Sequence, residues 1–338
     1  MRRRGWTRSA LAAVAAVTLF AGCSSQDDVE PGATREPATP AAAPAVAATP
    51  AGEVSPSAPI TAVLAAPDTG VLAVLSDGGK SLRLIDRGAT PPTERTLALP
   101  AAAATLAPGA SGEVLAPAPG RVLRVAAATG ALTEIPVDGD ASAVAPRPDG
   151  GLAVGLADGR VLILNADGAV SHTVKGLASA DAVVASGEQV VALDRRQTVI
   201  TELSLDAGRP GLALRAGDGA TTMIGDHFGR QLVTDTAGGE LLVYTADPLV
   251  LHQRFPVGSS PYALAYDERS ETVWVTLTGT NEVVGYDLST GIPEEVGRYP
   301  TVRQPDSVTI DERTGDMFVG SATGDGLQRI GADQRKGQ

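Results

Sequence analysis

The sequence contains one pattern twice, as Pro261-Tyr262-Ala263-Leu264-Ala265-Tyr266-Asp267-Glu268-Arg269 and, 44 residues later, as Pro305-Asp306-Ser307-Val308-Thr309-Ile310-Asp311-Glu312-Arg313. In both copies an apolar stretch ends in Asp-Glu-Arg. A short apolar run then follows at the same offset, at 273–275 and at 317–319. Internal similarity at a period of roughly 20–50 residues is typical of solenoids and propellers. We therefore interpret this chain as a repeat protein.

Weaker copies of the pattern extend towards the N-terminus. Segments that match the first strand of the repeat lie at 61–66, 103–107, 142–145, 182–185, 221–224, 262–266 and 307–310. A third-strand position recurs at Leu82, Val122, Val161, Val199, Leu241, Val283 and Leu327, with spacings of 38 to 44 residues. Both series predict seven repeats of about 40 residues.

Each repeat consists of short apolar runs separated by turn sequences such as Asp77-Gly78-Gly79, and none has a convincing helical period. Four short strands in about 40 residues correspond to one blade of a propeller. The sequence therefore predicts an all-β, seven-bladed β-propeller, with six or eight blades as the alternatives. Few residues follow Ile330, so either the last blade has three strands or a segment around Val54 completes it.

Residues 1–22 have the layout of a secretory signal peptide. Arg2, Arg3, Arg4 and Arg8 precede an apolar run over 10–20, and the small residues Ala21 and Gly22 follow. This apolar run is shorter than the ~20 residues of a membrane-spanning helix. The segment therefore predicts export and cleavage.

Cys23 is the only cysteine of the chain and directly follows this segment. Leu19-Phe20-Ala21-Gly22-Cys23 resembles a bacterial lipobox, although Phe20 replaces the usual aliphatic residue. In a lipobox the small residues admit the lipoprotein signal peptidase, and the thiol carries a diacylglyceryl group. We predict lipidation at Cys23, which would anchor the protein to the extracytoplasmic face of the cell membrane. The alternative is an ordinary signal peptide with a chance cysteine.

Residues 23–59 are rich in alanine, threonine and proline, with seven prolines between Pro31 and Pro59. Such a composition buries too little apolar surface to fold alone, and its prolines keep it extended. We predict three parts: a signal peptide (1–22), a lipidated, disordered stalk (23–59) and a propeller domain (60–338). The sequence does not decide whether the stalk carries O-glycans.

The charge of the chain limits its partners. The chain has 39 acidic and 27 basic residues, and four of the basic residues lie in the acid-free segment 1–22. The remainder therefore has a formal charge of −16. Such a surface repels phosphate backbones, so we expect no nucleic-acid partner.

The repeat resembles known families. Residues 258–267, followed by Val273-Trp274-Val275-Thr276 and by 281–287, resemble the YVTN-type repeat of YncE-like propellers, which implies the fold and little about function. Residues 192–198, 217–223 and 238–244 resemble mycobacterial LppL-type lipoproteins. The second resemblance implies an actinobacterial cell-envelope lipoprotein and supplies no activity.

The sequence offers no catalytic, metal or cofactor motif. His172, His227 and His252 fall in different repeats, and no HExxH, CxxC or GxSxG spacing is present. Asp267 and Asp311 recur at the same turn, which favours Asx turns over metal ligands. We therefore predict no catalytic residue, no metal and no cofactor.

Propellers usually bind through one face, on which the loops before the first strands and the loops between the second and third strands surround a central channel. We call this side the loop face. The candidate ligand-binding residues there are Arg195, Arg196, Thr222, Tyr262, Thr278, Asn281, Gln304 and Asp306. The two arginines suit an anionic sugar or carboxylate, or else are solvated turn residues. Trp274 and Phe318 are expected to pack between blades.

These features favour a monomeric, non-enzymatic binding or scaffolding propeller at the cell envelope that recognises a protein or a glycan. The alternative is a lyase or hydrolase that acts on a carbohydrate or lactone at the mouth of the channel. A purely structural envelope protein without a ligand also fits the sequence.

Overall fold

The computed structural model describes residues 32–335, so the predicted signal peptide and Cys23 lie outside the described residues. In this range the chain forms 26 β-strands and one short 3-10 helix, Ala332–Gln334. The predicted all-β class is confirmed. Within the same range, no helix is long and apolar enough to cross a membrane.

The strands form antiparallel sheets arranged in chain order. The first sheet contains β2 (Ile60–Ala65), β3 (Val71–Ser76), β4 (Ser81–Asp86) and β5 (Thr93–Ala98). The next contains β6 (Ala107–Pro108), β7 (Glu113–Ala126), β8 (Leu132–Pro146), β9 (Leu152–Leu156), β10 (Val161–Leu164) and β11 (Val170–Val174). It is followed by the sheet of β12 (Ala182–Ser186), β13 (Gln189–Asp194), β14 (Val199–Ser204) and β15 (Arg209–Arg215).

The remaining sheets contain four strands each. One comprises β16 (Ala220–Gly225), β17 (Arg230–Asp235), β18 (Glu240–Thr245) and β19 (Val250–Pro256). The next comprises β20 (Pro261–Asp267), β21 (Thr272–Leu277), β22 (Glu282–Asp287) and β23 (Glu294–Pro300). The last comprises β24 (Pro305–Ile310), β25 (Met317–Ser321), β26 (Leu327–Ile330) and β1 (Glu53–Ser55).

The described strands therefore make six hydrogen-bonded sheets, five of four strands and one of six. Counted in this way the propeller has six blades, which was an alternative, and the predicted count of seven is not confirmed. The difference lies in β7 and β8, which are 14 and 15 residues long. Each continues through a position at which the repeat predicts a turn. As a result β8 pairs with β7 near its start and with β9 near its end.

The N-terminal segment closes the ring. Val54 of β1 pairs with Gln328 of β26, so the outer strand of the last sheet comes from the opposite end of the chain. The sequence left this closing strand open, with Val54 as its only candidate, because the three residues of β1 are exposed and carry no apolar pattern. Pairing of the two ends of the chain joins the first and last sheets.

Apolar side chains fill the spaces between successive sheets. Trp274 is 1 % exposed and packs in a cluster with Ile310 and Met317 of the last sheet. Phe318 is also 1 % exposed and packs with Ile60 and Leu72 of the first sheet. Both aromatic residues pack between blades, as predicted. Complete burial of such a side chain contributes on the order of 2 kcal/mol, so these contacts hold the ring together.

Residues 32–52, which we call the strap, have no regular secondary structure and lie across the loop face. The Arg35 N–H donates to the carbonyl oxygen of Arg196, and the Ala51 N–H donates to that of Pro300. The predicted stalk included these residues as disordered spacer. The described part of that segment, 32–59, instead contacts the propeller and supplies β1 to it. Its prolines favour extended backbone, which leaves N–H and C=O groups free for such partners.

Candidate functional site

A channel of about 1460 Å³ runs through the centre of the ring. The first strands of the blades line it, mainly with small and aliphatic side chains. Polar and charged side chains gather at its two mouths. Arg195, Tyr262 and Asp306 line it at the loop face, and Asp226, Glu268 and Glu312 line it at the opposite face.

Arg195 is held by two buried or half-buried carboxylates. The backbone N–H of Arg195 donates to Asp181 Oδ2 (2.8 Å). The backbone N–H of Gln197 donates to Asp194 Oδ1 (2.9 Å), which fixes the turn that carries Arg195. Asp194 also accepts hydrogen bonds from the backbone of Ala178 and Ser179 (2.7 and 3.2 Å). One carboxylate thus joins two neighbouring loops and places the guanidinium at the mouth.

Tyr262 is positioned by threonines of the preceding blade. Thr234 Oγ1 donates to the Tyr262 carbonyl oxygen (2.9 Å), and Thr236 Oγ1 donates to that of Pro261 (2.6 Å). Burial raises the pKa of the Tyr262 phenol, Arg195 opposes this effect and Asp306 adds to it. The hydroxyl therefore stays protonated and can donate a hydrogen bond to a ligand.

Asp306 is half-buried, and burial raises its pKa to about 6 even though Gln304 Nε2 donates to its carboxylate (2.8 Å). An acid with this pKa changes charge just below neutral pH. The mouth therefore holds a permanent cation, a neutral phenol and a carboxyl group that titrates. This set can bind a polar ligand that has both donors and acceptors.

The strap lies over part of the same loops. Arg195 Nη2 donates to the Ala38 carbonyl oxygen (2.7 Å). Gln304 makes two bonds to the strap: its Oε1 accepts from the Ala43 N–H (2.8 Å) and its Nε2 donates to the Ala41 carbonyl oxygen (3.2 Å). Ala43 is consequently 4 % exposed.

Three further side chains of the loop face complete the contact with the strap. Ser260 Oγ accepts from the Ala41 N–H (2.8 Å), Asn281 Nδ2 donates to the Pro44 carbonyl oxygen (3.0 Å), and Arg303 Nε donates to that of Ala43 (3.2 Å). We call Arg195, Ser260, Asn281, Arg303 and Gln304 the strap groove.

The predicted binding residues therefore fall into distinct places. Thr222, together with Arg195, Tyr262 and Asp306, lines the channel. Asn281 and Gln304 bind the strap through their side chains, and the carbonyl oxygen of exposed Arg196 accepts a hydrogen bond from it. Thr278 is buried, and its Oγ1 donates to Ser260 Oγ (2.8 Å), so it supports the groove from below.

Sequence reasoning missed Ser260 and Arg303, because the strap that they contact was interpreted as disordered.

The opposite mouth of the channel is acidic. Burial raises the pKa of Glu312, and the nearby carboxylates of Glu268 and Asp68 add to this effect. Asp226 is neutralised by Arg230, whose Nε lies 2.6 Å from Asp226 Oδ2.

The carboxylates of Asp267 and Asp311 accept hydrogen bonds from the backbone N–H groups two residues later (3.2 and 3.1 Å), so the predicted Asx turns are confirmed.

The three histidines lie apart. His172 and His252 are exposed on the outer strands β11 and β19. His227 lines the channel at the acidic mouth, and its ring contacts that of Phe228 at a tilt (3.8 Å between ring centroids). Among residues 32–335, no group of three or more His, Cys, Asp or Glu side chains is arranged to hold a metal ion.

Comparison with known proteins gives similarity in structure only. No protein-family model and no curated protein sequence matches the chain. A chain of Kuenenia stuttgartiensis hydrazine synthase is 14 % identical with a TM-score of 0.68, and the match covers 83 % of this chain and 97 % of that one. A catalytically inactive histidine-to-alanine variant of Staphylococcus aureus virginiamycin B lyase, solved with quinupristin, is 15 % identical with a TM-score of 0.66, and the match covers 83 % of this chain and 97 % of that one.

A chain in a mitotic checkpoint complex is also similar, at 12 % identity and a TM-score of 0.69, with coverage of 95 % and 99 %. These structures differ widely in function. At such low identity the similarity shows the fold alone. This chain is a β-propeller.

Proposed function

We propose that this protein is an exported lipoprotein, attached to the cell membrane through Cys23, whose propeller binds an envelope protein or glycan at the loop-face mouth of its channel. The observation that carries the proposal is the set of Arg195, Tyr262 and Asp306 at that mouth. These residues provide charge and hydrogen bonds beside a cavity whose walls carry many small and aliphatic side chains, a combination found in ligand sites. The resemblance to LppL-type lipoproteins supports the envelope location.

The anchor is tested with Cys23→Ala in a bacterial host that processes lipoproteins. The wild-type protein should fractionate with membranes and carry acyl chains by mass spectrometry, and the variant should do neither. A globomycin-type inhibitor should cause accumulation of the unprocessed wild-type form. Membrane retention of Cys23→Ala, with no response to the inhibitor, would refute the anchor.

The binding site is tested by photo-crosslinking in intact cells. A photoreactive amino acid replaces Thr222 at the loop-face mouth or, as control, exposed Thr290 on the other face. Adducts from position 222 should fall at least fivefold in an Arg195→Ala, Asp306→Asn background. An Arg95→Ala background should leave them unchanged, because Arg95 is exposed on an outer strand. Equal adducts in both backgrounds would exclude this mouth.

A second candidate function is that of a lyase on a cyclic lactone-containing substrate. Among the described residues that line the channel, His227 is the one histidine. This favours the second function, because the similar virginiamycin B lyase is inactive when a histidine is replaced by alanine. The test is incubation with quinupristin and mass spectrometry of the product. An enzyme of this kind should lose activity with His227→Ala and keep it with His172→Ala. Recovery of intact quinupristin would exclude this substrate.

We further propose that the six-stranded sheet acts as two blades, which makes the ring seven-bladed. The Ala127 N–H donates to the Gly112 carbonyl oxygen (2.8 Å), so the two ends of β7 lie side by side and the strand folds back near Gly120. In the described residues the buried apolar side chains form seven clusters. One cluster contains both Val122 and Leu162, which lie in β7 and β10 of this sheet. Packing between two parts of one sheet supports two blades.

A further inference from the structure

The strap groove recognises the main chain of its occupant. All the bonds from the five groove residues to strap residues 38–44 use backbone N–H or C=O groups of the strap. Gln304 pairs with both an N–H and a C=O group two residues apart, so it fixes the direction and register of an extended peptide. Backbone bonds of this kind accept many sequences, while steric fit selects among them.

Steric fit favours small residues and proline. Ala43 is 4 % exposed and its backbone is bonded to Gln304 and Arg303, so a small side chain suits this position. Ala38 packs against Gly219, where an added Cβ would lie 2.7 Å from the Ala38 Cβ. Proline at 37, 40 and 44 restricts the backbone to extended conformations, which lowers the entropy lost on binding.

We propose that the strap groove is a binding site for extended alanine- and proline-rich segments of a partner protein, and that the strap is its resident, displaceable occupant. This inference rests on the proposed binding function and names the class of partner. Such segments match the groove in backbone geometry and side-chain size, whatever their exact sequence.

The hold on the strap is light enough for exchange. Of residues 35–44 only Ala43 is buried, so little apolar surface keeps the segment in place. Segments with few buried contacts open locally at small free-energy cost. Because the strap is tethered, its effective concentration is in the millimolar range, and a competing segment binds well only when the strap is loosened.

The experiment loosens the strap within the full chain. Ala43→Arg places a long side chain at the buried position, and Ala42→Arg, at the exposed neighbour, is the matched control. The probe is a fluorescent peptide of residues 34–47, followed by fluorescence anisotropy. The Ala43→Arg chain should bind it at least tenfold more tightly than the wild-type and Ala42→Arg chains. Adding Gln304→Ala should weaken binding about tenfold, as expected for two lost hydrogen bonds.

A second probe tests the class of ligand. A 14-residue peptide of alternating alanine and proline should bind the Ala43→Arg chain within about threefold of the strap peptide. A glycine-serine peptide of equal length should bind at least tenfold more weakly. If only the strap peptide binds, the groove serves this chain's own segment, within one copy or between two, and the proposal is overturned.

Hydrogen exchange of the wild-type protein provides a check that needs no variant. The amides of Ala41 and Ala43 should be protected, and strap peptide added above the millimolar effective concentration of the tethered strap should accelerate their exchange. Unprotected amides, or equal peptide binding by all chains, would overturn the proposal. If the peptides fail while the crosslinks at position 222 still depend on Arg195 and Asp306, the binding function stands and only this partner class is rejected.

Discussion

The guanidinium of Arg335 lies 3.0 Å from the carboxylate of Asp267, and both side chains are completely buried. The same guanidinium donates to the carbonyl oxygen of Gly315 and lies 5.1 Å from the centroid of the Trp274 ring. Asp267 ends β20, and Arg335 follows the last sheet. The pair therefore ties two neighbouring sheets together at the end of the described chain.

Removal of one partner should be costly. Arg335→Ala is expected to lower the free energy of unfolding by about 3 kcal/mol, because it removes a buried guanidinium that faces the buried carboxylate of Asp267. Chemical denaturation measures the loss. The matched control is Arg313→Ala, whose guanidinium is half exposed and 3.9 Å from Asp311; it should cost less than about 0.5 kcal/mol.

The double variant Asp267→Asn, Arg335→Met should recover most of this loss, because no buried charge remains and the apolar chain can still cover Trp274. A double variant as unstable as Arg335→Ala would show that the effect comes from lost packing rather than from charge.

The closing strand should contribute through its backbone. Val54→Pro places a proline at the centre of the three-residue strand β1, where it disfavours pairing with β26, and is expected to reduce stability by about 2 kcal/mol. Val54→Thr keeps the backbone and the strand propensity and should be nearly neutral, since Val54 is 44 % exposed. Thermal unfolding distinguishes the two. Equal melting temperatures for the variants would mean that β1 does not close the ring in solution.

Asp306 should give a pH-dependent stability difference. Its folded pKa of about 6 lies above its ordinary value of 3.8, so the folded protein retains a proton that the unfolded chain releases. The free energy of unfolding of the wild type should therefore fall, relative to that of Asp306→Asn, as the pH rises from about 4 to about 6. After allowance for partial exposure, the variant should be about 1 kcal/mol more stable above pH 6 and equal to wild type at pH 4. A difference that does not change with pH would contradict this.

Gly285 makes room for Trp274. It lies opposite Trp274 in the ladder, and a Cβ at Gly285 would lie 2.8 to 2.9 Å from three atoms of the indole ring. Gly285→Ala is therefore expected to destabilise the protein by about 2 kcal/mol through overpacking. Gly88→Ala, in a loop with its nearest contact at 3.4 Å, is the control and should have little effect. Thermal unfolding of both variants measures the effect. An unchanged melting temperature of Gly285→Ala would disprove this packing argument.

The periodic part of the sequence predicted the fold well for a physical reason. Each blade buries both faces of a short sheet, so the apolar runs around Val161, Val199 and Val283 had to recur, and each of these residues lies in a strand. The sheet count differed because hydrogen bonding continues past Gly120 and Gly139, where glycine permits a bend without ending the strand.

The strap and β1 left no such signal. They contact the propeller through backbone groups, and backbone hydrogen bonding leaves no hydrophobic period in the sequence. For the same reason Ser260 and Arg303 looked like ordinary loop residues. Gln304, in contrast, was predicted at the loop face from its place in the repeat, although its partner there is the strap.

The docked strap also sets how far the propeller can stand from a membrane. Gly32 lies beside Gln197 on the loop face, and only nine peptide units separate it from Cys23. Fully extended, they span roughly 30 Å. If Cys23 carries the lipid, the loop-face mouth must stay within that height of the bilayer surface. Release of the strap up to β1 would add some twenty residues of reach, so an occupant that displaces it would also allow the propeller to move farther from the membrane.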